Sequence, residues 1–88
     1  MKLKYDFAVQ KVTDFWAAVP VGKDALRYNG VMSLNETARD MMEFLREDIT
    51  EEELVQKMLG VYDIEEATLR EHVHDFILKL QEAGVLLS

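Results

Sequence analysis

Apolar positions alternate along the first third of the sequence and recur every three or four residues after it, so the chain divides into a strand part and a helix part. The switch falls at Leu34-Asn35. Leu34 ends a short extended run. Asn35 is placed to cap a helix by accepting a hydrogen bond from a free amide of the first turn, and Glu36 follows where the helix dipole favours negative charge. Residues 7–12 and 15–21 are rich in Val and aromatics, with Thr13-Asp14 between them, and predict a hairpin. In the second run Phe15, Ala17, Val19 and Val21 share one parity and predict the buried face, with Trp16 and Ala18 turned away. Val12 breaks the parity of Phe7 and Val9, which leaves room for a bulge. Pro20 donates nothing to a ladder and belongs at an edge or a strand end. Val21-Gly22-Lys23-Asp24 predicts a loop, and Asn29-Gly30 a tight turn. Residues 27–34 then form either a small meander or one strand kinked at Gly30, and periodicity does not decide between them.

Three helices follow. The first is predicted over residues 36–47, where Ala38, Met41, Met42 and Leu45 form one stripe, Phe44 widens it, and the Met pair is expected to fill core. Thr50 and Glu53 have the spacing of a capping box, which opens a second helix through Leu54, Val55, Met58 and Leu59, with Tyr62 one turn on. Asp63 and Glu66 repeat that spacing before the third helix, whose apolar face is Leu69, Val73, Phe76, Ile77 and Leu80. Gly84 suits the position after a helix end, and Val85-Leu86-Leu87 is expected to fold back on the core. The order β-β-β-α-α-α predicts a single α+β domain over residues 1–88, winged-helix-like, with a three-stranded antiparallel sheet followed by three helices that cover one sheet face.

Composition narrows the function. The chain has 88 residues, no cysteine and a net charge of −7. Thiol catalysis, disulfides and thiolate metal sites are excluded. No apolar run approaches the ~18 residues of a membrane span, and Met-Lys-Leu-Lys-Tyr-Asp is too polar for a signal peptide, so a cytoplasmic protein is expected. Five cations against three acids leave residues 1–34 at +2, whereas five against fourteen leave residues 35–88 at −9. The third helix, which would enter the groove in a winged-helix DNA reader, carries five acids against Arg70 and Lys79 between Glu65 and Glu82, so phosphate is repelled where contact is needed. No nucleic-acid partner is expected.

Nothing points to catalysis. There is no Gly-rich phosphate loop and no Gly-x-Ser-x-Gly elbow, and the carboxylates fall in first turns or on helix exteriors. His72 and His74 lie about 200° apart around a helix and lack the i, i+4 spacing of a metal pair. Neither a metal nor a cofactor is expected. What remains is a binding module whose sheet edge is either open to an extended peptide or covered by the chain's own tail or a second copy. Self-association through that edge is the competing reading.

The residues Val19-Pro20-Val21-Gly22, Leu34-Asn35-Glu36-Thr37, Phe44-Leu45, Thr50-Glu51-Glu52-Glu53-Leu54-Val55, Tyr62-Asp63 and Val73-x-x-Phe76-Ile77-x-x-Leu80-x-x-x-Gly84-Val85-Leu86 occur in order over nearly the whole chain. Together they resemble the PqqD family of RiPP recognition elements, which bind ribosomally made, post-translationally modified peptides. The resemblance implies that the leader of a precursor peptide adds as an extra strand beside the third strand, in a groove bordered by the third helix. It implies delivery to a maturation enzyme, often a radical S-adenosylmethionine enzyme, with no catalysis by this chain. Carried over, the pairing strand is Tyr28, Asn29, Gly30, Val31, Met32 and Ser33, running to Leu34. The facing wall is Leu69, His72, Val73 and Phe76, with plain core packing the competing role for the three apolar ones. Leu78, opposite that stripe, is a candidate for a second contact. Thr37-Ala38 and Met41-Met42 depart from the family pattern, which leaves the fold expectation standing but weakens any claim that the client is the quinone precursor. The protein is expected to be a monomer or a strand-exchanged dimer.

Overall fold

A computed structural model describes residues 1–27 and 30–87. Two adjacent antiparallel sheets and three helices make up the fold. A short strand β1 (Lys2–Leu3) precedes the hairpin β2 (Phe7–Val12) and β3 (Phe15–Pro20). A 3₁₀ turn over Gly22–Leu26 leads towards β4 (Met32–Leu34). Then come α1 (Glu36–Phe44), α2 (Glu51–Leu59) and α3 (Glu66–Glu82), and a last strand β5 (Leu86–Leu87). The order in the larger sheet is β2-β3-β4, and β1 pairs with β5 in the smaller.

The hairpin forms as expected, around a two-residue turn at Thr13-Asp14. Its buried face is the opposite of the one predicted. Trp16 is half-buried, Ala18 and Pro20 are buried, and Phe15 and Val19 are exposed. Register explains the reversal. Phe7 lies opposite Pro20, Val9 opposite Ala18, and Leu34 opposite Trp16, and directly opposed residues share a face. Phe7 and Leu34 are drawn into the core, so their partners follow. The helix side also needs a small residue, and Ala18, fully buried, lets α1 lie close to β3. Ala17 is nonetheless buried on the outer face, between Gln10 and Ser33. Pairing runs unbroken from Phe7 to Val12, so there is no bulge; Val12 simply faces outward. The segment expected as a loop after Val21 is the 3₁₀ turn, and Arg27 closes it rather than joining a strand. The expected turn at Asn29-Gly30 and the strand role of Tyr28 and Asn29 lie outside the described residues.

The local caps of α1 and α2 match the sequence. Asn35 accepts from the Ala38 amide at 2.8 Å, and Thr50 and Glu53 exchange both bonds of a capping box. The Glu53 carboxylate accepts from the Thr50 amide at 2.9 Å; that bond first, and the Thr50 side chain second, hold the carboxyl below its usual range. α1 stops at Phe44, short of residue 47, because the Leu45 carbonyl is taken by the Leu3 amide at 2.8 Å. α3 begins at Glu66 with Glu65 as its cap and no side-chain cap bond, so Asp63 does not form a box. Met41 and Met42 are core, as expected, beside Leu45, Leu54, Met58, Leu69, Val73 and Leu80. Val85 folds back, fully buried, and donates to the Leu80 carbonyl beyond Gly84, whose φ is 73°. Leu86 and Leu87 then pair with Leu3 and Lys2. Among the described residues no helix is long and apolar enough to cross a membrane.

Candidate functional site

β4 is three residues long because Asn35 turns the chain into α1. One edge of β4 pairs with β3 through Trp16, Ala17 and Ala18. Its other edge carries no strand among the described residues, since the tail pairs with β1 instead. Beside β4 a groove of ≈ 470 Å³ runs between that strand, the first two turns of α1 and the second half of α3. Leu34, Ala38, Met41 and Leu80 make an apolar floor, all buried. The α3 side is His72, Asp75, Phe76, Lys79 and Ala83, a stripe at helical spacing. The volume falls within the range of ligand-binding clefts.

Of the residues expected at the site, Met32, Ser33, His72 and Phe76 come together in this groove. Val31 is 62% exposed and Gly30 exposed just before β4, outside the groove lining. Leu69 and Val73 are not at the groove. They are 1% and 0% exposed and pack in the core, because their turn of α3 faces the other helices. Residues not anticipated are Asp75, Lys79 and Leu80 on α3, Ala83 at its C-terminal cap, and Asn35, Thr37, Ala38 and Met41 at the start of α1. The recurrence of groove residues at 72, 75, 76, 79 and 83 was available in the sequence as a second α3 stripe beside the core one.

Several contacts hold the floor in place. Tyr62, after α2, donates to Asp40 on α1 at 2.5 Å, and Asp40 also accepts from Arg39 at 2.8 and 2.9 Å. Burial first, and the Asp40 hydrogen bond second, push the Tyr62 hydroxyl up to about 12. The Arg39 guanidinium stacks 4.4 Å from the centre of the Trp16 ring, which lies directly opposite Leu34. α1 is thus braced to both the sheet and the α2–α3 connection. On the far side, Arg70 of α3 joins Glu52 of α2 at 2.5 and 2.9 Å and Glu66 at 2.9 Å. The Arg70 hydrogen bonds, then that of Gln56, hold the Glu52 carboxyl down at about 2. Among the described residues no three His, Cys, Asp or Glu side chains cluster as metal ligands.

The fold occurs elsewhere. The structure of TbiB1 in complex with the TbiA(beta) leader peptide superposes with a TM-score of 0.71 at 17% identity, covering 98% of this chain and 94% of that one. A lasso peptide synthetase B1 complexed with the leader peptide gives 0.67 at 17% identity, covering 99% of this chain and 96% of that one. No curated protein matches the sequence significantly. The family described as Coenzyme PQQ synthesis protein D (PqqD) matches residues 21–86, which takes in β4, all three helices and the whole groove. By that match over three quarters of its length, the chain belongs to the PqqD family.

Proposed function

We propose that this protein binds the leader of a ribosomally made precursor peptide by adding it as a fourth strand beside β4, and presents it to a peptide-modifying enzyme. The observation that carries this reading is the β4 edge, free of strand partners among the described residues and opening onto the groove beside α3. An added strand satisfies its own backbone groups against that edge, and its alternate side chains enter the groove. Family membership and the leader peptides bound to the two structural relatives support the same reading. The role is non-catalytic: the protein holds the peptide while a partner enzyme of the radical S-adenosylmethionine type does the chemistry.

An NMR titration with the leader of a precursor encoded beside this gene tests it. Amide shifts concentrated in residues 30–34 and 72–83 are expected. Shifts scattered over α2 and the outer sheet face, or none at all, overturn it.

A further inference from the structure

The groove is not uniformly apolar, and its two full charges stand without partners. Each of the four arginines is ion-paired: Arg27 with Asp24, Arg39 with Asp40, Arg46 with Glu43, Arg70 with Glu52. Asp75 and Lys79 are both exposed on the α3 rim of the groove, and neither side chain has a hydrogen bond or ion pair among the described residues. They are four residues apart on one helix and yet do not pair with each other. Four helical residues rise about 6 Å along the axis. Alternate residues of a strand, which point to the same face, are about 6.6 Å apart. A strand laid along the groove therefore brings inward-facing side chains two positions apart to Asp75 and Lys79 in turn.

We infer that Asp75 and Lys79 select the client by charge: its leader carries a basic and an acidic residue two positions apart, the base opposite Asp75 and the acid opposite Lys79. This deepens the strand-addition reading and rests on it. The apolar floor supplies contact area that many sequences can use. Two fixed charges of opposite sign discriminate, because a reversed pair meets like charge at both positions. They also fix register, since a slip of one residue turns both charged side chains to the outer face of the sheet.

A phage library of random 12-residue peptides, selected on the full chain and on the Asp75→Lys/Lys79→Asp double variant, tests this. Peptides from the native chain should be enriched in a base and an acid two positions apart in one order, and those from the double variant in the opposite order. Lys79→Asp alone should weaken a native-selected peptide roughly fivefold. An Asp75→Asn/Lys79→Gln variant, which keeps the side-chain sizes, should still select peptides but without the charge pattern. Selected peptides that shift the β4 amides yet show no charge pattern on the native chain overturn the inference and leave strand addition standing. Peptides that leave those amides unmoved, or a selection yielding none, overturn both.

Discussion

At Thr13 the backbone takes φ 56°, and it is the one non-glycine with a positive φ among the described residues. A two-residue hairpin needs such a value to match the twist of its strands, and a β-branched side chain adopts it at a cost of about 1–2 kcal/mol. Thr13→Gly relieves that strain and is expected to raise stability by about 0.5–1 kcal/mol after glycine's added unfolded-state entropy, read by urea denaturation. Tyr62 gives a second residue-scale expectation. Its hydroxyl ionises near 10 in the unfolded chain and near 12 in the fold, so its contribution is complete below pH 10 and disappears as pH rises towards 12. Tyr62→Phe should flatten the fall in thermal midpoint over that window relative to the native chain. The caps at Asn35 and Thr50 were legible because a cap is settled by residues three apart. The strand faces were not. Phe15 and Val19 are more apolar than Ala18, yet Ala18 is the buried one, because the residues opposite it and the helix above it decide.

Between elements, the α3 helix has two jobs on neighbouring stripes. Leu69 and Val73 anchor it in the core, while His72, Asp75, Phe76 and Lys79 face the groove. Phe76 belongs to both, at 9% exposure. This separates stability from binding. Leu69→Val is expected to lower stability by about 1 kcal/mol and leave peptide affinity unchanged, since it trims the core alone. Phe76→Leu should cost under ~1.5 kcal/mol and weaken peptide binding several-fold, because it changes the groove wall. Denaturation and titration on the same samples check both. The family resemblance named β4 and α3 as the two walls; Leu69 and Val73 lie in the core instead of on the groove lining, because one side of a helix meets a strand at a time. The α1 floor and the Lys79–Ala83 end were missed because an apolar floor and a core look alike in sequence. β1 and β5 were invisible as strands, since two residues carry no period. The start of α3 was misplaced because no side chain caps it.

For the molecule as a whole, the arrangement of edges governs behaviour. The C-terminal tail pairs at the smaller sheet rather than with β4: Lys2 pairs with Leu87, and the Lys4 amide donates to the Val85 carbonyl at 2.7 Å. The outer face of the larger sheet leaves Val12, Phe15 and Val19 exposed. The β1–β5 pairing also has a topological consequence. Residues 2 and 87 are Cα neighbours, so a few glycines and serines suffice to join the two extremities into a ring without disturbing either sheet. Reopening that ring between Thr13 and Asp14 gives a circular permutant whose helical circular dichroism and response to ligand should match the parent, because the cut falls at an exposed tip remote in sequence from the groove. A tether attached at either extremity would likewise leave from one corner of the molecule, giving a fused partner the same bearing on the groove whichever way round the two are joined.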